Sequence, residues 1–128
     1  MDEAKFITLD NCLTILIYTD RSKSTNHMEL FTFYGGNYSS YIDYNGKKRN
    51  IKEGSAHLLE HYVCENTVSG DLLDNLRKYN VLSCNAGTSA FNTSYFFNTV
   101  CNFYECLDTF LDGIYNVSFT NEKLNKTK

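Results

Sequence analysis

No apolar run in this 128-residue chain is long enough to span a membrane; the first, Leu13–Ile17, is short and interrupted by a threonine. Because the chain opens on acidic residues before that short run, we expect no secretory signal. A basic stripe is also lacking, and the net charge of -3 disfavours contact with phosphates. We therefore expect no membrane partner and no nucleic-acid partner. Proline is absent altogether, which by itself indicates no function.

The five cysteines lack the CxxC spacing that is typical of zinc ribbons and redox motifs. Their odd number also argues against a complete set of disulfides. We interpret them as reduced thiols, mostly small buried side chains. Reduced thiols and the missing signal together predict a cytoplasmic protein.

The residues that are present favour a packed domain. Hydrophobic residues make up 42% of the chain, and 10 tyrosines and 9 phenylalanines give it a high aromatic content. A chain of this length can bury a core within one domain, so we interpret residues 1–128 as a single domain.

The spacing of apolar residues predicts seven elements in the order ββααββα. Strands and helices come in separate runs, which predicts an α+β sandwich with a mostly antiparallel or mixed sheet and helices on one face. The predicted strands are 13–18, 28–34, 81–86 and 93–100, and the predicted helices are 56–65, about 70–79 and 103–115.

Two polar stretches carry no predicted element. Residues 37–53 are expected to form a long loop, with the basic run Lys47–Arg49 as a solvated face. Residues 117–128 fade into polar sequence. Ser55 is predicted to cap the helix at 56–65, because serine is a favoured residue at that position.

His57 and His61 stand four residues apart on one helix, which places both imidazoles on one face, about one turn apart. Both rings can then reach one metal ion. Glu60 lies between them in angle and can reach a water on that ion. This arrangement is the inverted form of the zincin helix motif. It predicts zinc ligation by the two histidines, with Glu60 as the general base in peptide-bond hydrolysis.

A structural alternative exists for each of these side chains. Either histidine could be a buried or capping residue, and Glu60 could be a surface residue. The combination at this spacing is much rarer than any of its members. His27, the remaining histidine, stands alone in a predicted polar loop and is assigned no role.

Gly54–His61 resembles the GxAHxLEH signature of the pitrilysin and insulin-degrading-enzyme family of zinc peptidases, which includes the mitochondrial processing peptidases. The nearest form is that of a bacterial branch, AHFLEHKLFE. The resemblance covers nearly the whole chain, although Cys12 replaces a glycine in the opening LDNGL pattern. The supporting stretches are Leu9–Leu13, Asn85–Thr88 with Tyr95, and Asp108–Ile114 followed by Phe119 and Thr120.

This resemblance implies a zinc peptidase domain that is only partly present. A second homologous domain or subunit would close a peptide chamber around the site. The strand carrying Asn85 and Ala86 would face the zinc, and its edge would pair with the backbone of a peptide substrate. The family's third ligand is a glutamate in the helix after the Phe-Thr exit, which residues 1–128 do not reach. Glu122 matches only the approach to that helix.

Three interpretations of the chain follow. The first is the N-terminal part of a zinc-dependent endopeptidase that lacks its third zinc ligand and is inactive alone. The second is a catalytically inactive peptidase-like domain that binds peptides or pairs with an active homologue. The third is that the histidine pair is an accident of the core, with its rings pointing apart.

Overall fold

A computed structural model describes residues 3–127. The described residues form seven strands and four helices, in the order βββββααββαα. The strands are β1 (Glu3–Thr8), β2 (Thr14–Thr19), β3 (Asn26–Thr32), β4 (Ser40–Ile42), β5 (Lys48–Asn50), β6 (Ser83–Thr88) and β7 (Thr93–Thr99), and the helices are α1 (Ser55–Glu65), α2 (Leu72–Arg77), α3 (Phe103–Tyr115) and α4 (Asn121–Lys126).

The main sheet has three antiparallel strands in the order β3-β7-β6. Side chains alternate between its two faces, and in β7 every second residue is buried. One face therefore points into the core. The inward residues are Met28 and Leu30 of β3, Tyr95 and Phe97 of β7, and Cys84 and Ala86 of β6.

The helices cover this inward face, which confirms the predicted α+β class, the antiparallel sheet and the helices on one face. Phe97 is fully buried and lies 5.6 Å from the ring of Phe110 on α3. Leu72 and Leu76 of α2 fill the space beside them. Burying each such side chain stabilises the fold by roughly 1.5–3 kcal/mol. The core thus holds α1 at a set position over the sheet.

The turn between β6 and β7 packs tightly against Gly35. A Cβ atom at this position would lie 2.5 Å from both the Asn92 nitrogen and the Ser89 oxygen, which are backbone atoms that cannot easily move. The Gly36 nitrogen also donates to the Ser89 oxygen at 2.8 Å. The absence of a side chain at Gly35 therefore brings the segment after β3 into contact with the β6–β7 turn.

The hairpin β1–β2 contains one strand, β1, that the sequence patterns did not predict. Its turn closes with the Cys12 nitrogen donating to the Leu9 oxygen at 2.9 Å. Cys12 has a φ of 68°, in the left-handed region that favours glycine. Cysteine thus occupies, under some strain, the position at which the LDNGL pattern has glycine.

The prediction of a long loop at 37–53 was wrong, because this segment contains the hairpin β4–β5. Asp43 holds the turn: its carboxylate accepts from the Arg49 Nε at 2.7 Å and from the backbone of Asn45 and Lys47. These bonds, the Arg49 contact first, lower the pKa of the Asp43 carboxyl group below its ordinary value. Arg49 is therefore paired within the hairpin.

Two further expectations were wrong: Ser55 as the N-cap of α1, and the lack of a predicted element at 117–128. The N-cap of α1 is Gly54, in the left-handed region at φ 79°, rather than Ser55. Ser55 lies inside the helix, and its hydroxyl donates to the Lys52 oxygen at 2.7 Å. Near the end of the chain, residues 121–126 form α4, whose N-cap is Thr120.

No helix within residues 3–127 has the length and apolar content needed to cross a membrane. All five cysteines are free thiols, as predicted. Only Cys64 and Cys106 are fully buried, whereas Cys12 and Cys101 are exposed, so the expectation that most would be buried was too broad.

Candidate metal centre

Helix α1 carries the side chains of the candidate site. Its inner face is buried and includes Ala56, Val63 and Cys64, which fixes the rotation of the helix over the sheet. His57 and His61 lie on the adjoining flank of the helix, which faces solvent, with side chains 65% and 54% exposed. The helix thus presents two imidazoles to solvent from a rigid base.

The two imidazoles converge as the four-residue spacing predicts. The Nε2 atoms of His57 and His61 are 3.1 Å apart, and the ring centroids are 4.7 Å apart. A carboxylate oxygen of Glu60 lies 3.9 Å from the His57 Nε2 atom. The interpretation in which the rings point apart is therefore wrong for this structure.

The three side chains fit a zinc ion chemically. One ligand atom from each of His57, Glu60 and His61 lies within 4.8 Å of the other two. Nitrogen ligands of zinc lie about 2.0–2.1 Å from the ion, which puts two of them roughly 3.3–3.4 Å apart in a tetrahedral site. The spacing of the Nε2 atoms is close to that value. It also suits a hydrogen bond between two neutral rings, one of which donates.

Glu60 differs from the histidines because it is buried. Its side chain is only 7% exposed, at the place where α1 meets the sheet. Thr88 at the end of β6 donates its hydroxyl proton to the Glu60 Oε2 atom at 3.2 Å. A buried carboxylate is thereby held between the sheet and the histidine pair.

Thr88 belongs to a short chain of hydroxyl groups. Its Oγ1 atom lies 3.3 Å from the Oγ1 atom of Thr93, its cross-strand partner on β7. Thr93 in turn donates to the Tyr34 backbone oxygen at 2.9 Å. The packing of the β6–β7 turn on Gly35 therefore sets the position of the group that contacts Glu60.

The surroundings of Glu60 on the core side are apolar. Burial, and to a smaller extent the negative charge of Glu60, raise the pKa of the Cys64 thiol to about 12. Burial also raises the pKa of the Tyr95 hydroxyl, with Cys64 and Glu60 contributing less. Both groups therefore stay neutral at physiological pH and place no second negative charge beside Glu60.

A second carboxylate stands beside His61. The Glu65 Oε1 atom lies 3.8 Å from the His61 Nδ1 atom, one helical turn along α1. Its other oxygen accepts from the Thr127 hydroxyl at 3.3 Å. The 3.8 Å separation of Glu65 from His61 is too long for a hydrogen bond, and the contact leaves the His61 Nε2 atom free to bind a metal.

Tyr62 anchors the other side of α1. Its hydroxyl donates to the Ser118 oxygen and accepts from the Thr120 nitrogen, each at 2.9 Å. Its ring stacks on Phe119 with centroids 5.0 Å apart. The segment leading into α4 is therefore fixed to the helix that carries the histidines.

Strand β6 is an edge strand of the main sheet. The Ser89 nitrogen donates to the Asn92 oxygen, and alternation along an antiparallel pair then turns the backbone groups of Ala86 and Thr88 away from β7. Within the described residues no strand covers this edge. The side chain of Asn85 lies on the exposed face away from the helices, whereas Ala86 faces the core.

Sequence reasoning missed the contacts of Thr88 and Glu65. Thr88 belongs to the Asn85–Thr88 pattern, but no local signal links it to a residue 28 positions earlier. Glu65 could have been found from its spacing of four residues after His61. Within residues 3–127, no other group of three potential ligand side chains comes together, and Glu122 pairs with Lys126 instead.

Comparison with known proteins gives a consistent result. A protein-family model described as insulinase, peptidase family M16, matches residues 47–128. The uncharacterized zinc protease YmfH of Bacillus subtilis (strain 168) is 27% identical over 122 residues. That match covers 94% of this chain but only 28% of the relative.

Solved structures show the same fold. A protein described as an M16-like peptidase from Alicyclobacillus acidocaldarius superposes with a TM-score of 0.86 at 23% identity, covering 98% of this chain and 29% of that one. A protease from Helicobacter pylori gives 0.78 at 18% identity, over 99% of this chain and 29% of that protein. Pitrilysin gives 0.74 at 18% identity, over 98% of this chain and 13% of pitrilysin.

The chain thus spans less than a third of the length of these relatives. The family-model match covers well over half of the chain and includes the histidine pair of α1. The protein belongs to the M16 family of peptidases, the insulinase family.

Proposed function

We propose that this chain is part of a zinc-dependent endopeptidase, with His57 and His61 as zinc ligands and Glu60 as general base. The observation that carries this proposal is the convergence of the three side chains, whose ligand atoms lie within 4.8 Å of one another. Membership of a peptidase family and a relative named as a zinc protease support it.

Each residue has a distinct part in the proposed reaction. A zinc ion at this site would act as a Lewis acid that activates water and polarises the peptide carbonyl. His57 and His61 would hold it through their Nε2 atoms, and Glu65 would orient His61 by moving closer to its Nδ1 atom. Glu60 would accept a proton from the attacking water and deliver it to the departing amine. Its burial keeps bulk water from competing for that proton.

We propose that residues 1–128 are one partial peptidase-like domain. The low coverage of every relative supports this interpretation. The third zinc ligand would then be a carboxylate outside residues 3–127, and a second homologous domain or subunit would close the peptide chamber. We call this chain, together with the third ligand and the second domain or subunit, the assembled protein. The five free thiols fit the proposed cytoplasmic location.

We propose that a peptide substrate adds a strand to the open edge of β6. The outward backbone groups of Ala86 and Thr88 would pair with the peptide backbone, which gives affinity without demanding particular side chains. Thr88 also contacts Glu60, so a peptide on this edge would lie beside the candidate base. Asn85 would act through its exposed side chain, because its backbone groups bond to β7.

Replacing Ala86 with proline tests whether a peptide substrate pairs with the open edge of β6. Proline removes the outward N–H group but no hydrogen bond of the sheet, which is where edge strands tolerate it. We expect the Km of the assembled protein for a peptide to rise by about tenfold, the equivalent of one lost hydrogen bond of about 1.4 kcal/mol. Ala86→Gly is the matched control, since it keeps the N–H group. Equal Km values for the two variants would overturn the edge-strand proposal.

A second candidate function is a catalytically inactive domain that binds peptides or pairs with an active homologue. It is favoured by the absence, within residues 3–127, of a further carboxylate in the histidine cluster. Under this alternative the β6 edge would still bind peptide.

Metal removal tests the peptidase proposal. We expect the assembled protein to hydrolyse a fluorogenic peptide, to lose this activity on chelation and to regain it on addition of one equivalent of zinc. Hydrolysis that survives chelation would contradict the proposal. Peptide binding without any hydrolysis by the zinc-loaded protein would support the inactive domain instead.

A further inference from the structure

We infer that Thr88 is a positioning residue that keeps Glu60 available as a base by preventing its carboxylate from binding the metal. This inference rests on the proposed zinc site of His57 and His61. It concerns a choice that the motif itself leaves open, because a carboxylate beside two histidines can serve either as a ligand or as a base.

The geometry makes ligation by Glu60 a real competitor. Its Oε2 atom is 3.9 Å from the His57 Nε2 atom, and all three donor groups lie within 4.8 Å of one another. Carboxylate oxygens bind zinc at about 2.0–2.2 Å, so a rotation of the Glu60 side chain would be enough to add it to the two nitrogens. Within residues 3–127 no other carboxylate is placed to fill that position.

A hydrogen bond from Thr88 opposes this rotation. Thr88 donates to Oε2, the oxygen that lies nearest to His57, at 3.2 Å. Because Glu60 is buried, losing the hydrogen bond from Thr88 would leave its carboxylate without that donor. A metal ion would then be the nearest group able to take the place of the donor.

The neighbours of the Thr88 hydroxyl make it a hydrogen-bond donor. Thr93 gives its own proton to the Tyr34 oxygen at 2.9 Å, so it cannot donate to Thr88 as well. The Thr88 proton is therefore shared between Glu60 at 3.2 Å and Thr93 at 3.3 Å. Thr88 can act only as a donor within this network, which is the role that a carboxylate partner requires.

The test measures zinc affinity of the 128-residue chain by competition with a chromophoric chelator, and the visible spectrum of its Co²⁺ form. We expect Thr88→Val to bind zinc about tenfold more tightly than the wild type, a change of the size that outer partners of metal sites produce. Thr88→Ser, which keeps the hydroxyl, should match the wild type. The double variant Thr88→Val with Glu60→Gln should lose the gain.

Thr99→Val is the matched control, because Thr99 is a fully buried threonine of the same sheet whose hydroxyl contacts the Cys101 backbone. Thr88→Ala removes the hydroxyl with a smaller side chain, and it replaces the valine variant if that one does not fold. A tighter Thr88→Val site with an altered Co²⁺ spectrum supports the inference, since a merely structural role would weaken binding.

Two other outcomes would overturn it, and they are distinguishable. If the wild type binds zinc but Thr88→Val binds equally or more weakly, as Thr99→Val does, the role of Thr88 is refuted and the histidine site stands. If no variant, including the wild type, binds zinc better than His57→Ala, the role of Thr88 is refuted. The proposed function is refuted as well only if the assembled protein also fails to bind zinc.

Discussion

Replacing Glu60 with glutamine should lower peptide hydrolysis by the assembled protein by about 10²–10⁴-fold, the range that general acid–base groups contribute. Glutamine has nearly the same shape, and its amide can still meet the Thr88 hydroxyl. It cannot accept a proton from water at neutral pH. Zinc affinity should change little, because the two histidine nitrogens remain in place.

Glu105→Gln is the matched control for this prediction. Glu105 lies in the first turn of α3, is exposed and is not part of the histidine cluster. Steady-state hydrolysis of one fluorogenic peptide by the wild type and both variants gives the comparison. If Glu60→Gln retained the activity of Glu105→Gln, Glu60 would not be the base, and the inactive-domain interpretation would gain support.

Removing either histidine should abolish specific zinc binding by the chain. With His57→Ala or His61→Ala a single protein nitrogen remains. The loss of zinc affinity should therefore exceed the roughly 10–100-fold that follows removal of a residue that only hydrogen-bonds to a ligand. Both side chains are more than half exposed, so we expect the free energy of unfolding to change little in the absence of zinc. Calorimetric titration with zinc measures the effect.

His27→Ala provides the control for both histidine variants. His27 lies on β3 rather than in the predicted loop, because its backbone pairs with Asn98 of β7. It is on the sheet face away from the helices, where its Nδ1 atom contacts the Asn98 side chain at 2.9 Å. The His27→Ala variant should bind zinc as the wild type does. Equal loss of affinity in all three variants would mean that zinc binding does not depend on the α1 pair.

The strong periodic segments could be predicted from the sequence, and the weak ones could not. Helix α3 was predicted at its observed ends, because apolar residues recur through all its turns. Strands β4 and β5 have three residues each, too few to show a period. Helix α4 buries none of its residues, so it has no apolar stripe to detect. These short elements depend on local bonds, such as those of Asp43 and Thr120.

Only the part of the candidate site that lies within one helix could be predicted from the sequence. A helix puts residues four positions apart on one face, so the spacing of His57 and His61 alone predicts that their rings converge. The burial of Glu60 and its contact with Thr88 depend on how β6 meets α1. That contact joins residues distant in sequence, and no spacing rule describes it. The open edge of β6 likewise becomes visible only when the strand order is known.

The central claim is that His57 and His61 hold one zinc ion on α1. It is tested most directly by anomalous diffraction at the zinc absorption edge, using crystals of the zinc-loaded protein. The account predicts one strong peak about 2.0–2.1 Å from the Nε2 atoms of both histidines. A zinc peak elsewhere with none between these two rings, or rings that point apart in the zinc-loaded protein, would contradict it.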